Sequence, residues 1–337
     1  MGSSRPQLTK EVGVESEAAR SDLRLPVEER GRLLLAARRF YLEDRSKVEI
    51  AAELGVSRFK VARMLEQART SGLVTITFDD EGAVDHDLSA RLAERLGLSE
   101  AVVVHAHGDL DRVRSVVAQA GAEHLASSLA EGSIIGMAWG KTLADLTASL
   151  PRLSKMSVVQ LTGAVGADLS QSPVELVRRM AQSSGGAAFP IFAPLLLDTA
   201  ETAAALRTQP EIARAMAMYS DVTTALLSVG SWNPPDSQLY LAVPPAEREA
   251  LVAQGVVAEV SSILITDDGS VVAESFTERA IAITPAQLRA IPRVLAVAAG
   301  VRKARAVRAV ARAGLITGLV TDAALAEAIL SDSVDGT

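Results

Sequence analysis

Cysteine is absent from all 337 residues, which excludes disulfides, thiolate zinc sites and cysteine nucleophiles and agrees with a reducing cytoplasm. Aromatic residues make up only 3% of the chain while hydrophobic residues make up 48%, so a sizeable core must be built from Ala, Val and Leu. The only histidines are His86, His105, His107 and His124, which leaves little for imidazole-based catalysis. No apolar run reaches the length needed to span a bilayer. The N-terminal stretch MGSSRPQLTKEVGVESEAARSD is polar and mixed in charge, unlike a signal peptide or an anchor, and residues 1–25 are read as a disordered tail. Together these absences point to a cytoplasmic protein.

The length suggests two domains. Net charge is −7, but residues 1–70 hold 14 Lys and Arg against 11 Asp and Glu, whereas the remainder holds 20 against 30. A modestly basic head on an acidic body suits a protein that offers only its head to phosphate backbones.

The segment Ser46–Ile76 explains that basic head. Ser46 is placed to cap a short helix, with Ile50 and Ala51 facing inward; Leu54-Gly55-Val56 forms a turn, and Ser57 caps a second helix to about Thr70. Gly55 permits the positive φ of a sharp turn, and Ala51 is small where the helices cross. Val56, Val61 and Leu65 supply the buried face of the second helix. The opposite face carries Arg58, Lys60, Arg63 and Arg69, with Ser57 and Phe59 at the end that would enter a major groove. An earlier helix, Pro26–Leu42, presents Leu33, Ala37, Phe40 and Tyr41 at helical spacing, and the β-rich run Gly72–Phe78 is placed to form a wing. Asp79-Asp80-Glu81-Gly82 marks a domain boundary near residue 80. The expected division is a tail over 1–25, a winged helix-turn-helix over 26–79 and an effector-binding, oligomerising domain over 80–337.

From there the chain alternates strands with helical stretches. Val102–His105, Ile134–Met137, Val158–Leu161, Ala188–Phe192, Thr224–Val229, Ile263–Thr266, Val294–Ala298 and Gly318–Thr321 read as strands. Asp111–Leu129, Leu143–Leu150, Val174–Gln182, Lys303–Ala313 and Ala323–Leu330 read as helices. This implies an α/β fold with a doubly wound, mostly parallel sheet. Asp267-Asp268-Gly269-Ser270 suggests one small antiparallel hairpin.

Ligands in such sheets bind beyond the carboxyl ends of strands, where glycine loops lead into helices. Three such loops stand out. Gly136-Met137-Ala138-Trp139-Gly140-Lys141-Thr142 resembles a P-loop, but the position five residues before its second glycine is Ile135, so it is one residue short and argues against nucleotide hydrolysis. It still offers N–H groups, Lys141 and a hydroxyl to a phosphate. The others are Gly163-Ala164-Val165-Gly166 and Gly300-Val301-Arg302-Lys303. Three loops at corresponding strand ends point to a phosphorylated ligand. No catalytic residue, cofactor site or metal site stands out. His105 and His107 alternate near Asp109 but lack a third well-placed ligand, and Asp322 suits a helix cap as well as a ligand contact.

The motifs EIAAELGVSRFKVARMLEQARTSGLV, GMAWGKTL, AAGVRKARAV and GLVTDAALAEAIL together resemble the SorC family of bacterial sugar-responsive transcriptional regulators, sometimes grouped with DeoR-type proteins. The resemblance spans about residues 30–331. It implies an effector domain shaped like sugar-phosphate isomerases and CoA-transferases but without catalysis. Such a domain binds a phosphorylated sugar or related metabolite and alters the affinity of a homo-oligomer, dimer or tetramer, for operator DNA. It also implies a phosphate-side loop at Gly136, Gly140, Lys141 and Thr142, a second anion contact at Gly300 and Lys303, and an acid near sugar hydroxyls at Glu259. The chain departs from the family at Ala299-Gly300, where a double glycine is usual, at Ala258-Glu259 in place of a Gly-Asp step, and at Lys47 in place of Gln.

The expected function is therefore a regulator that reads bases with Arg58, Phe59, Lys60 and Arg63 and contacts phosphates with Lys47 and Ser57. The competing readings are a sugar-phosphate enzyme that uses Lys141 as a Schiff-base amine, and a metabolite-binding module whose head contacts protein instead of DNA.

Overall fold

A computed structural model describes residues 26–75, 80–165 and 171–331. The tail over 1–25, residues 76–78 of the expected wing with Asp79 after it, and Gly166 lie outside the described residues. The chain divides into two compact units, residues 1–79 and residues 80–337.

The first unit contains α1 (Val27–Tyr41), α2 (Lys47–Leu54) and α3 (Arg58–Thr70). Ser46 and Glu49 form a reciprocal capping box: the Ser46 hydroxyl accepts the Glu49 N–H at 3.3 Å, and the Glu49 carboxylate accepts the Ser46 N–H at 2.9 Å. Gly55 ends α2 in the left-handed conformation, φ +62°, and Val56 N–H closes onto Ala51 O at 3.0 Å. The Ser57 hydroxyl then accepts Lys60 N–H at 3.2 Å to start α3. Leu33, Ala36, Ala37, Ile50, Ala51, Val61, Met64, Leu65 and Ala68 form a core of mostly small side chains, while Val56 is only half-buried. The strand expected from Gly72 is absent over its described part. Gly72, at φ +70°, donates to Arg69 O and Val74 donates to Ala68 O, so these groups terminate α3 instead of entering a ladder.

The second unit is built on seven parallel strands: β1 (Glu100–Val104), β2 (Ile134–Met137), β3 (Ser157–Gln160), β4 (Ala188–Phe189), β5 (Thr224–Ser228), β11 (Arg293–Val297) and β12 (Gly318–Asp322). They lie in the order β1-β12-β11-β5-β2-β3-β4. Their side chains alternate between two cores. Val104, Val158, Leu226, Leu295, Val297 and Val320 face one side, where α5 (Leu110–Ser128), α6 (Lys141–Ala148) and α7 (Pro173–Ser184) pack. Val103, Val159, Ala225, Leu227, Ala296 and Leu319 face the other, with α4 (His86–Leu96) and the helices Ala304–Arg312 and Ala323–Ser331. Both faces are covered, as a parallel sheet requires. β4 stops at Phe189, short of the expected Phe192. Pro190 has no N–H to continue the ladder, and the next amide, Ile191, bonds to the buried Gln160 side chain at 3.0 Å.

The single hairpin expected at Asp267–Ser270 is part of a larger feature. β6 (Gly230–Trp232), β7 (Pro235–Asp236), β8 (Val256–Val260), β9 (Ile263–Thr266) and β10 (Val271–Val272) form an antiparallel sheet in the order β10-β9-β8-β6-β7. Its central strand β8 packs against the helix Ala304–Arg312. At the amino ends of the parallel strands, Glu100 receives Arg293 at 2.6 Å and pairs with His124 at 2.8 Å. These partners hold its carboxyl down at about 2, against an ordinary 4.5.

Candidate functional site

In the first unit, Lys47, Ser57, Arg58, Phe59, Lys60 and Arg63 are all exposed. Phe59 is 67% exposed, and the Arg58 guanidinium stacks 4.9 Å from its ring centroid. Lys47 lies 5.6 Å over the Phe40 ring, so its reach is set partly by α1. Two nearby acids are engaged elsewhere: Glu53 holds Arg39 and Arg45, and Glu49 caps α2. The Ser57 oxygen serves as the cap acceptor, and its O–H remains a donor.

In the second unit, a cavity of about 220 Å³ opens where the carboxyl ends of the neighbouring strands β11, β5 and β2 meet the antiparallel sheet. The topology reverses here: from β2 the chain runs outward to β3 and β4, then returns to β5 on the other side of β2. That is the place where doubly wound sheets bind ligands. Gly140, Lys141 and Thr142 line one wall at the start of α6. Gly140 adopts φ +146°, and a Cβ there would collide with Ser228 Oγ, so glycine is required twice over. No side chain caps α6, which leaves its first-turn N–H groups available to an anion. The oxygen of Ser228, at the end of β5, is buried with no hydrogen-bond partner, as is that of Ser261. Unpaired buried hydroxyls are costly, and a ligand in this cavity would satisfy both.

The other part of the cavity is ionic. Lys303 Nζ donates to Val229 O at 2.6 Å and lies 3.4 Å from Asp236 Oδ2. Burial lowers its pKa, opposed mainly by Asp236. Glu259 on β8 is 3% exposed and accepts Ser237 Oγ–H at 3.1 Å. It faces Gly230 across the β6–β8 pair, where a Cβ would sit 2.8 Å from the carboxyl carbon. Burial pushes the Glu259 carboxyl up to about 7, against the opposing effects of Ser237, the Ser262 N–H and Lys303.

Of the positions singled out in the sequence, Gly140, Lys141, Thr142, Glu259 and Lys303 therefore meet in one cavity. Gly136, Ala138, Gly163 and Gly300 do not line it. Gly136 sits inside β2, where a Cβ would lie 2.8 Å from Leu161, and Ala138 is buried with its N–H on Leu226 O. Gly163 lets two backbones cross, since a Cβ would lie 2.5 Å from Pro194 O. Gly300, at φ +92°, donates to Asp322 Oδ2 at 2.7 Å, and the other Asp322 oxygen caps the last helix through Leu325 N–H. Lys303 departs from the free anion contact that the resemblance implies, because its ammonium is already bound by Val229 and Asp236. Sequence reasoning missed Ser228, Asp236, Ser237, Ser261 and Arg114. Ser228 carried a signal, as the end of a strand followed by Val229-Gly230; Asp236, in the two-residue β7, and Ser237, at the cap of a five-residue helix, carried none. His105 and His107 pair with Asp80 and Asp85. Among the described residues no group of three or more His, Asp or Glu is disposed to hold a metal ion.

Residues 81–331 match the family described as "Putative sugar-binding domain". The chain belongs to this sugar-binding domain family. Its relatives are transcriptional regulators. The chain is 26% identical over 301 residues to the deoxyribonucleoside regulator of Bacillus subtilis, covering 88% of this chain and 96% of that protein. It is 26% identical over 303 residues to the sorbitol operon regulator of Klebsiella pneumoniae, covering 87% and 96%. The crystal structure of full-length SorC from Klebsiella pneumoniae superposes with a TM-score of 0.69 at 24% identity, covering 90% of this chain and all of that one. The match over residues 81–331 falls within the second unit, residues 80–337. No described helix is long and apolar enough to cross a membrane.

Proposed function

We propose that this protein is a DNA-binding transcriptional regulator whose operator affinity is set by a phosphorylated sugar or related carbohydrate. The observation that carries the reading is the Gly140 loop: an uncapped helix start, a glycine-only backbone and the unpartnered Ser228 hydroxyl converge in a cavity of the sugar-binding domain. A phosphate fits this chemistry, because its oxygens accept from backbone N–H groups and hydroxyls together. The volume of about 220 Å³ suits one small metabolite.

α1 to α3 and the turn at Gly55 support a helix-turn-helix, with α3 as the recognition helix and Arg58, Phe59, Lys60 and Arg63 at base edges. Lys47 and Ser57 are assigned to phosphates. A homo-oligomer, dimer or tetramer, would present such helices in pairs to a pseudo-palindrome. The effector must favour one state of that oligomer, since equal affinity for both shifts nothing.

The role is regulatory rather than enzymatic. Lys141, the candidate Schiff-base amine, is exposed, and the buried lysine, Lys303, is bound by Val229 O and Asp236. A thermal-shift screen of sugar phosphates and free alditols tests the reading. A phosphorylated sugar should raise the melting temperature progressively with its concentration above Kd, by mass action, and a response to free alditols alone would overturn the phosphate assignment.

A further inference from the structure

The cavity is charged like a site for one anion. Three basic side chains line it: Arg114, Lys141 and Lys303. Lys303 has its donors on Val229 O at 2.6 Å and Asp236 O at 3.3 Å, with the Asp236 carboxylate 3.4 Å away. Arg114 on α5 is held by Asp145 at 3.0 Å and Asp111 at 2.8 Å. Among the described residues, Lys141 is the lining cation with no acid within 4.0 Å, and it stands at the uncapped start of α6.

The region around Glu259 is different. Its carboxyl is buried against Gly230, with Ser237 on one oxygen and the Ser262 N–H 3.4 Å from the other. The groups facing it are Ser237 before the short helix Gln238–Ala242, Ser262 in the β8–β9 turn, and Lys303, which Asp236 already neutralises. A second phosphate or a sugar carboxylate placed here would meet the Glu259 carboxyl and no unpaired cation, because Lys303 and Asp236 are spent on each other. Hydroxyl or carbonyl oxygens would meet a hydrogen-bonding carboxyl and the free Ser261 hydroxyl.

We propose that the cavity selects a sugar or alditol bearing a single phosphate, seated at the start of α6, with its uncharged oxygens against Glu259 and Ser261, and rejects sugar bisphosphates and phosphorylated sugar acids. This rests on the sugar-phosphate reading above and narrows it to a ligand class.

Calorimetric titration of the full chain tests it with matched probes: fructose 6-phosphate against fructose 1,6-bisphosphate, and glucitol 6-phosphate against 6-phosphogluconate. In at least one pair the monophosphate binds, and the doubly anionic partner is weaker by about tenfold or more, since like charges juxtaposed in a desolvated site are strongly disfavoured. A bisphosphate or sugar acid that binds as tightly as its partner overturns the inference while leaving the sugar-phosphate reading intact. Failure of every phosphorylated probe overturns both. Glu259→Gln supplies an independent readout that cancels the titration of the ligand's own phosphate. The ratio of wild-type to variant affinity for the bound monophosphate should fall about threefold or more between about pH 6 and about pH 8, as the wild-type carboxyl gains charge. A ratio that does not change with pH contradicts the role assigned to Glu259.

Discussion

Glu259→Gln also has a consequence for folding that needs no ligand. The substitution keeps the shape of a side chain that is 3% exposed and removes its ability to ionise. Burial raises the carboxyl from 4.5 to about 7, so the folded protein retains a proton that the unfolded chain releases between those values. Below pH 4.5 both states are protonated and Glu259 has no effect. As pH rises towards 7 the unfolded state is increasingly favoured, and above 7 the handicap is constant. At about 1.4 kcal/mol per pH unit of difference it reaches about 3 kcal/mol, with about 1 kcal/mol present at about pH 5. The Gln variant lacks this handicap. Its stability relative to wild type should therefore improve by about 2 kcal/mol between about pH 5 and about pH 8.5. The readout is the change with pH, because any poorer pairing of the amide shifts both ends alike. Trp139 and Trp232, the only tryptophans, lie in the same unit as Glu259, so urea unfolding followed by tryptophan fluorescence reports that unit. A stability difference that stays flat or shrinks as pH rises would refute the reasoning.

Other expectations follow from single contacts. Gly140→Ala forces a side chain into φ +146° and onto Ser228 Oγ; sugar-phosphate binding by calorimetry should fall by about 100-fold or more, the scale of about 3 kcal/mol, and retained affinity would remove the loop from the site. Arg58→Ala and Arg63→Ala should each cost about 1–3 kcal/mol in specific DNA binding at fixed salt, and unchanged affinity in both would exclude α3 as the reading helix. Glu100 is stabilising above its ordinary pKa of 4.5, and that contribution is lost as pH falls towards about 2. Glu100→Gln should therefore destabilise by about 1–2 kcal/mol at neutral pH, after allowance for solvent screening, and by less near pH ~3, as measured by urea unfolding.

The parts of the fold that could be read from sequence are those specified locally. Ser46, Gly55 and Ser57 each satisfy a backbone group within four residues of themselves, so α2 and α3 are written in the chain. The parallel strands were legible because both of their faces are buried and their apolar runs stand clear of the helices. The antiparallel sheet was legible only at its β9–β10 hairpin. β6 and β7 are three and two residues long, and β8 gains its meaning only by pairing with Gly230. The site divides in the same way. Gly140 and Lys141 announce themselves as a strand-to-helix loop, whereas Asp236 and Ser237 become site residues only through contacts with Lys303 and Glu259. Gly136 and Gly163 misled because a glycine needed for close packing has the same appearance in sequence as one needed for a ligand.

The central claim is that occupancy of the cavity changes the affinity of the head for DNA. Its most direct test is fluorescence anisotropy of the full chain on a duplex obtained by in vitro selection, at fixed salt, with and without a saturating sugar monophosphate. The account predicts a change in Kd of about fivefold or more, within the range of ordinary allosteric coupling, and no change in Gly140→Ala. A Kd that is the same with the cavity filled and empty would contradict it.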